Sequence, residues 1–337
     1  MPTHKAIQVA APGAALTLED VETTSPPPGH VRIAVAACGV CGTDQGILSG
    51  AFPDAPWPIT PGHELAGTIV ELGDDVDDFT TGERVVVGWF GGNCNECVPC
   101  RKGKFMQCIR GQVPSLAYPG GYAESMVAPT AALARIPGDL SFAEAGPMGC
   151  AGVTTYNALR RTDAVAGDLV AVLGIGGLGH LGVQWARAMG FETVAIARGA
   201  AKGEDAKQLG AHHYIDSTAE DVAEALQALG GATVVLATAA NSAAIGQTVG
   251  GLGPEGELVV VGVTADPLPI SPADLILAGR RVTGHPSGTS RDVEETMQFA
   301  CQSGVRAWVE ERPLDEAAEA YAAVQQGRAR YRGVLTV

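Results

Sequence analysis

Positive charge is scarce in this sequence of 337 residues. Lys and Arg number 22 against 37 Asp and Glu, which gives a formal net charge of -15 at pH 7. Nucleic-acid affinity comes largely from cations that displace counterions, and acidic membranes attract basic surfaces, so we expect neither as a partner. Charged residues of both signs make up only 18% of the chain and hydrophobic residues 46%, which excludes a disordered chain and predicts a folded protein.

The sequence also shows no pattern typical of a secretory signal peptide or of a membrane-spanning segment. Residues 1–18 lack the charged start and the apolar run of a secretory signal peptide, so we expect a cytoplasmic protein. The longest uncharged stretch, residues 230–254, is interrupted by polar residues and glycines and does not match a bilayer span. In a reducing cytoplasm, the eight cysteines indicate metal binding or catalysis before disulfide bonds.

The pattern of predicted strands and helices changes along the chain, although the sequence contains no internal repeat and no flexible linker. Residues 1–150 carry turn signals and short β-like runs, such as 31–35 and 84–87, which are typical of a compact, mostly β domain. From about residue 168, strand-like and helix-like segments alternate, which predicts a parallel sheet covered by helices. The predicted strands are 169–175, 193–197, 233–238 and 258–263, with 334–337 at the end, and the predicted helices are 178–189, 219–229 and 292–301.

Four cysteines lie close together in a C-x2-C-x2-C-x7-C pattern. They are Cys94, Cys97, Cys100 and Cys108. Four thiolates on one short loop can surround a tetrahedral Zn²⁺ and leave no open position, which is typical of a structural zinc. The chemical alternative is an iron–sulfur cluster, but the bacterial ferredoxin pattern has a shorter last gap followed by Pro, whereas Ile109 follows here. Four unrelated reduced thiols are the third possibility.

A second candidate metal site consists of residues far apart in the sequence: Cys41, His63 and Cys150. Two cysteines and one histidine match the ligands of a catalytic zinc that keeps its fourth position open. Taken singly, each is more often a buried core residue. Thr43 could hydrogen-bond an oxygen held by the zinc, and Asp44 could accept the second ring N–H of the histidine. Glu64 fits a salt bridge equally well.

A glycine motif follows the first predicted strand of the parallel sheet. Gly174, Gly176 and Gly179 satisfy G-x-G-x-x-G between a strand and a helix, the context of a dinucleotide-binding turn. The glycines allow pyrophosphate to approach amides at the helix N-terminus, and we expect cofactor contacts from Gly177 and Leu178 as well. The alternative is a plain glycine turn.

The choice of dinucleotide is usually made about 20 residues further on, where an acid binds the adenosine ribose in NAD proteins. Here Ala197 and Arg198 end the second predicted strand, so a cation replaces the acid. Arg can form charge-assisted hydrogen bonds with a 2′-phosphate, so NADP(H) is favoured and NAD(H) stays possible. We expect Lys202 to belong to the cofactor-binding residues as well. Alternatively, Arg198 is a solvated residue or stacks on adenine.

These motifs together resemble the zinc-dependent alcohol dehydrogenases of the medium-chain dehydrogenase/reductase superfamily over essentially the whole chain. They occur in the family's order: Gly39-Val40-Cys41-Gly42-Thr43-Asp44, Pro61-Gly62-His63-Glu64, the four-cysteine loop, Cys150-Ala151-Gly152-Val153-Thr154 and the glycine motif. The resemblance implies an α/β fold: a GroES-like β-rich catalytic domain over 1–150 with both zincs, a doubly wound Rossmann domain over 151–285, and a return of 286–337 to the first domain.

The resemblance also implies roles for single residues. Cys41, His63 and Cys150 would bind the catalytic zinc, with Glu64 as an occasional alternate ligand. Thr43 would hold the substrate oxygen and Thr154 would lie near the nicotinamide, with the metal and the cofactor meeting in a cleft between the domains. Phe52 and Trp89 match positions that narrow the pocket, which suits primary aliphatic or aromatic alcohols and their aldehydes. Similar enzymes are homo-oligomers, either dimers or tetramers.

Two departures from the family pattern matter for mechanism. Many relatives carry a histidine proton relay at the position of Gly46, so here the proton would leave through Thr43, the cofactor ribose and water, or more slowly. The second departure is the Ala197-Arg198 pair. Two other functions stay open: a polyol or sugar dehydrogenase, in which Glu often stands at the position of Cys150, and a catalytically silent zinc and nucleotide-binding protein.

Overall fold

The computed structural model describes residues 2–337, and this part of the chain divides into two compact units. One unit comprises residues up to 153 together with 287–337, and the other comprises 154–286. Within residues 2–337, no helix has the length and the apolar character needed to cross a membrane.

The elements are numbered in chain order. The strands are β1 (Thr3–Gln8), β2 (Thr17–Glu22), β3 (His30–Val40), β4 (Leu65–Leu72), β5 (Arg84–Val87), β6 (Ser125–Pro129), β7 (Leu133–Arg135), β8 (Leu169–Leu173), β9 (Glu192–Ala197), β10 (His213–Asp216), β11 (Ala232–Ala237), β12 (Leu252–Val260), β13 (Arg281–Gly284), β14 (Val309–Pro313) and β15 (Arg332–Thr336). The helices are α1 (Thr43–Leu48), α2 (Val98–Arg101), α3 (Phe142–Ala145), α4 (Ala151–Arg160), α5 (Gly179–Ala188), α6 (Gly203–Gln208), α7 (Val222–Ala228), α8 (Ser242–Gln247), α9 (Pro272–Ile276), α10 (Ser290–Ser303) and α11 (Ala317–Gln325).

The first unit is built around a seven-stranded sheet in the order β14-β15-β3-β4-β5-β7, with β6 also paired to β3. Val31, Ile33 and Val35 alternate with less buried residues along β3, as the two-residue period of a strand with one buried face requires. The predicted strand 31–35 lies inside β3, which is longer because it pairs with β4, β6 and β15. Its final residues lead directly to Cys41.

The second unit contains a six-stranded sheet in the order β10-β9-β8-β11-β12-β13, with every pair parallel. All five residues of β8 are buried, as expected for a strand covered on both faces. The chain passes from β8 to β9 on one side and later enters β11 on the other. Ligands of such sheets bind at the carboxyl ends of the strands where the order reverses, and the glycine motif follows β8 at this point.

Two element boundaries differ from the sequence expectation for local reasons. The predicted helix 219–229 begins later, at Val222, because the Asp221 side chain accepts the Glu224 N–H and caps α7. The predicted strand 258–263 begins earlier, at Leu252, because this segment pairs with β11. The predicted segment overlapped only the last three residues of β12, 258–260, because exposed residues interrupt the strand before them.

Candidate active site

Strand pairing brings the first candidate ligands together. β3 and β4 are antiparallel, with Cys38 opposite Leu65, so Cys41 just after β3 lies near His63 just before β4. The ligand atoms of these two residues, Glu64 and Cys150 all lie within 4.8 Å of one another. We call this group the Cys41 cluster.

Cys150 lies in this cluster because its segment makes close backbone contacts that only glycine permits. A Cβ on Gly88 would lie 2.1 Å from the Gly149 carbonyl oxygen, and a Cβ on Gly146 would lie 2.5 Å from the Glu64 carbonyl oxygen. Side chains at these glycines would force the backbones apart. The segment before α4 can therefore pack directly against the backbone of Gly88 and of Glu64, which is next to His63.

The chemistry of the Cys41 cluster suits a zinc ion. His63 is fully buried, and its Nε2 has no hydrogen-bond partner within residues 2–337, an arrangement that costs free energy unless a ligand is bound. A hydrogen bond from Cys150 holds the pKa of Cys41 well below its usual range, although burial opposes this shift. The same hydrogen bond and burial raise the pKa of the Cys150 thiol. The two sulfur atoms thus share one proton in the hydrogen bond from Cys150 to Cys41. A bound metal cation would displace this proton, because the metal binds both residues as thiolates.

Asp44 lies behind the histidine. Its Oδ1 is 2.8 Å from His63 Nδ1, an ion-pair contact that is not a well-aligned hydrogen bond, and its Oδ2 accepts the Cys41 backbone N–H at 2.9 Å. The Asp44 carboxylate therefore contacts both segments that supply ligands. This is the location in which the sequence placed an acceptor for the second ring nitrogen.

Arg332 was not anticipated from the sequence. This residue of β15 is 3% exposed and donates through Nη2 to both carboxylate oxygens of Glu64, which is fully buried. Burial raises the pKa of Glu64 to about 7, even though the Arg332 charge lowers it. The two residues are 268 positions apart, so no local pattern could have revealed the pair.

The expected substrate-pocket residues lie in the same unit. Trp89 packs edge-on to His63, with 5.1 Å between ring centroids. Phe52 reaches toward α1, where a Cβ on Gly46 would lie 4.0 Å from its ring, and Thr43 is the first residue of that helix. A cavity of about 270 Å³ lies against Phe52 and is lined by Phe52, Pro53, Asp54, Ala55, Gly111, Val113, Leu116 and Ala117. Residues 111–117 were not anticipated from the sequence.

The four-cysteine loop places its sulfur atoms in a compact group, again within 4.8 Å of one another. Cys108 Sγ lies 3.5 Å from Cys94 Sγ and 3.8 Å from Cys97 Sγ. Four thiolates at about 2.3 Å from one tetrahedral ion are about 3.8 Å apart, so the spacing fits a single zinc. Backbone N–H groups of Glu96 and Cys97 lower the pKa of Cys94 to about 6, which favours the thiolate.

The glycine turn after β8 fits a dinucleotide pyrophosphate. A Cβ on Gly179 would lie 1.7 Å from the Gly174 carbonyl oxygen, and Gly174 has φ +90°, so both positions require glycine. A Cβ on Gly176 would meet nothing within 4 Å, which leaves open space above the turn. Within the described chain, the N–H groups of Gly177 and Leu178 have no backbone acceptor. Such donors suit an anion.

The end of β9 carries no acidic residue, but an acidic residue of the neighbouring strand β10 accepts a hydrogen bond from the segment that follows β9. Ala197 is buried and Arg198 is exposed, and the Asp216 carboxylate of β10 accepts the Gly199 N–H at 2.7 Å. Lys202 Nζ donates to the Ile175 carbonyl of the glycine turn at 2.7 Å. Burial lowers the pKa of Lys202, and the nearby Arg198 charge lowers it further. Two basic residues, Arg198 and Lys202, therefore follow the end of β9. Thr154 lies on α4.

Comparisons with known proteins agree with this fold. Residues 27–138 match the alcohol dehydrogenase GroES-like domain, and residues 177–302 match the zinc-binding dehydrogenase domain. The chain is 38% identical to alcohol dehydrogenase patD of Penicillium expansum, over 99% of this chain and 98% of that protein. It is 31% identical to the aldehyde reductase AdhA of Synechocystis sp., over 91% of each chain.

Solved structures show the same architecture. The cinnamyl alcohol dehydrogenase SbCAD4 from Sorghum bicolor superposes with a TM-score of 0.91 at 27% identity, covering 99% of this chain and 98% of that one. A zinc-binding dehydrogenase from Sinorhizobium meliloti 1021 bound to NADP also has a TM-score of 0.91 at 27% identity, with 100% of each chain covered. The GroES-like and Rossmann fold class expected from the sequence is confirmed.

Fold and comparisons thus define an oxidoreductase of the alcohol dehydrogenase and aldehyde reductase class. The chain belongs to the zinc-type alcohol dehydrogenases of the medium-chain dehydrogenase/reductase superfamily.

Proposed function

We propose that the protein is a zinc-dependent enzyme that interconverts primary aliphatic or aromatic alcohols and aldehydes, with NADP(H) as the favoured cofactor. The Cys41 cluster carries this proposal: two thiols and an imidazole converge with a buried ring nitrogen that lacks a protein partner. In the oxidative direction, the alcohol carbon loses a hydride to NADP⁺ and its hydroxyl loses a proton, giving aldehyde, NADPH and H⁺. The four-cysteine loop would hold a second, structural zinc.

Different residues of the first unit would have different roles in this reaction. When bound, zinc supplies Lewis acidity that favours the alkoxide or polarises an aldehyde carbonyl, and the nicotinamide supplies or accepts the hydride. Cys41, His63 and Cys150 would hold the metal, and the Thr43 hydroxyl would accept the hydrogen bond of the alcohol. Gly46 offers no imidazole to carry the proton onward. The proton is expected to pass from Thr43 to water.

The surroundings of the Cys41 cluster support an apolar substrate. Trp89 packs against His63, and Phe52, Val113 and Leu116 line a cavity of about 270 Å³ in the same unit, which has room for an aromatic ring. The aldehyde reductase and cinnamyl alcohol dehydrogenase relatives are named for similar chemistry. Among the side chains that line this cavity, Asp54 alone is polar, so a polyol would leave most of its hydroxyls without side-chain partners, and polyol oxidation is the second candidate.

The cofactor proposal rests on the end of β9. A 2′-phosphate would meet Arg198 and Lys202 there and no carboxylate from β9 itself. The NADP complex of the Sinorhizobium meliloti relative shows that this fold accepts NADP. The Asp216 carboxylate lies on the neighbouring strand β10, and its Oδ1 accepts the Gly199 N–H and both the N–H and the hydroxyl of Thr218.

We expect benzaldehyde to be reduced at least tenfold more efficiently with NADPH than with NADH on zinc-replete protein, because Arg198 would form charge-assisted hydrogen bonds with the 2′-phosphate. A tenfold ratio corresponds to about 1.4 kcal/mol of transition-state binding. The measurement is kcat/KM with each cofactor, and sorbitol oxidation in the same assay tests the polyol alternative.

Arg198→Ala should remove most of the NADPH preference and leave the NADH rate nearly unchanged. Lys207→Ala is the matched control, because it removes an exposed positive charge from α6 in the same unit. Faster turnover with NADH would contradict the cofactor assignment and leave the dehydrogenase intact. Absence of turnover with any alcohol or aldehyde would favour the catalytically silent zinc protein.

We also propose a cytoplasmic homo-oligomer. All eight cysteines are free thiols, which suits a reducing compartment. β13 is an edge strand of the parallel sheet, and Ile276 and Leu277 shortly before it are 76% and 86% exposed. An edge strand flanked by apolar residues can pair with the same strand of a second copy. Light scattering should give the mass of a dimer or tetramer, and a monomer mass would contradict the proposal.

A further inference from the structure

The Asp44 carboxylate has a third partner besides the two ligand segments. Its Oδ2 accepts a hydrogen bond from the Tyr122 hydroxyl at 2.8 Å, in addition to the Cys41 N–H. Tyr122 and Asp44 are both 0% exposed, as is His63. A buried carboxylate with few donors is costly, so each of these contacts has a large effect on where the carboxylate sits.

Tyr122 is also attached to the segment that leads into His63. Its backbone N–H donates to the Pro61 carbonyl, and the Gly121 N–H donates to the Gly62 carbonyl, both at 2.9 Å. The Tyr122 ring lies over Gly62, where a Cβ would be 2.5 Å from the ring. Gly62 has φ +105°, a conformation that itself favours glycine. The tyrosine therefore contacts the histidine segment through its backbone and the acid through its hydroxyl.

We propose that Tyr122 is a positioning residue of the Cys41 cluster: its hydroxyl fixes the Asp44 carboxylate, which in turn orients the His63 ring with Nε2 toward the metal. This inference rests on the proposed function, since it assumes that the Cys41 cluster binds zinc. Asp44 presents Oδ1 to the His63 ring while Oδ2 is held by two donors. Without the Tyr122 hydroxyl, the carboxylate can rotate and the imidazole loses its fixed orientation.

The competing explanation is that Tyr122 only fills the core of the first unit. Its ring belongs to the main hydrophobic cluster around β3 and β4 and packs next to Cys38. Tyr122→Phe separates the two explanations, because phenylalanine keeps the ring and removes only the donor. Loss of a hydrogen-bond partner behind a metal ligand typically costs 10–100-fold in metal affinity, and Tyr122 is one contact further away, so we expect roughly tenfold.

The test measures zinc rather than activity. Zinc release from intact protein is followed with a chromophoric chelator, and the visible spectrum is recorded after cobalt substitution of the Cys41 cluster. Tyr122→Phe is expected to release the zinc of this cluster roughly tenfold faster and to shift the cobalt bands. Tyr118→Phe is the control, because that tyrosine also donates a 2.8 Å hydrogen bond, but to the Gly91 carbonyl. It should leave the release rate at the Cys41 cluster unchanged.

A double-variant cycle tests whether the effect passes through Asp44. In an Asp44→Asn background, Tyr122→Phe should add less than twofold, since the two changes act on one contact. Unchanged zinc release and an unchanged cobalt spectrum in Tyr122→Phe, with two zincs in the wild type, would overturn the positioning role alone. A wild-type chain that binds a single zinc would instead contradict the proposed function, and the inference with it.

Discussion

Replacement of Cys150 by alanine should reduce the zinc content from two ions per chain to one and lower kcat/KM for benzaldehyde reduction by roughly 1000-fold or more. Zinc content is measured by atomic spectroscopy after gel filtration, and the rates by NADPH absorbance. We expect effects this large only from substitutions at the three proposed zinc ligands, Cys41, His63 and Cys150.

The size of this effect follows from the geometry of the Cys41 cluster. Cys150 would supply one of two sulfur ligands, and its replacement leaves one thiol and one imidazole beside Glu64, which Arg332 already engages. A catalytic zinc needs three protein ligands, so two are insufficient to retain it. Loss of the Lewis acid removes about 4 kcal/mol or more of transition-state stabilisation, which corresponds to the expected rate loss.

The control for this variant is Cys301→Ser. Cys301 lies on α10, outside both cysteine-containing clusters, so the serine variant should keep two zincs and nearly full activity. If Cys150→Ala kept both its zinc content and its activity, the catalytic-zinc assignment would have to be abandoned. Loss of both zincs together would indicate that the substitution had disrupted the fold of the first unit.

Replacement of Arg332 by methionine should destabilise the protein by about 3–5 kcal/mol, because it leaves the Glu64 carboxylate buried without its cation. Both partners are almost fully buried, at 3% and 0% exposure. A buried ion pair adds little to stability compared with apolar residues, but removal of Arg332 leaves a carboxyl that water cannot reach and that must either stay charged without a partner or take up a proton. Guanidinium unfolding of zinc-replete protein, followed by circular dichroism, measures the loss.

Two further variants make this prediction specific. The double variant Glu64→Gln, Arg332→Met removes both charges and should recover most of the lost stability. Arg312→Met breaks the Arg312–Glu316 ion pair, whose side chains are 40% and 46% exposed, and should cost less than about 1 kcal/mol. Equal losses from Arg332→Met and Arg312→Met would refute the argument, as would a double variant no more stable than Arg332→Met.

The local motifs could be predicted because neighbouring residues form them. The sulfur atoms of Cys94, Cys97, Cys100 and Cys108 converge on one point of a single loop, so their spacing already indicates a site that could hold a metal ion. The glycine turn is equally local: Gly174 and Gly179 approach each other within one strand-to-helix connection. Hydrophobic patterns likewise predicted the parallel sheet, although capping by Asp221 and pairing with β11 moved the ends of α7 and β12.

The cavity beside Phe52 could not have been predicted in the same way. It lies between two loops, residues 52–55 and 111–117, and loop conformation depends on contacts that carry no sequence period. Phe52 was expected at the substrate pocket only because the chain resembles the zinc-dependent alcohol dehydrogenases. Val113 and Leu116 line the same cavity, but no motif or spacing in the sequence indicates that they belong to a pocket.

The sequence by itself therefore determined the class of chemistry: which residues can bind a metal, where a dinucleotide can sit, and which acid is missing from the end of β9. Only the tertiary structure decided the partners that hold this chemistry in place. Arg332 reaches Glu64 across 268 positions, and Tyr122 reaches Asp44 across 78. The physical reason is burial, because a charge or a donor removed from water must find its partner inside the fold, wherever in the sequence that partner lies.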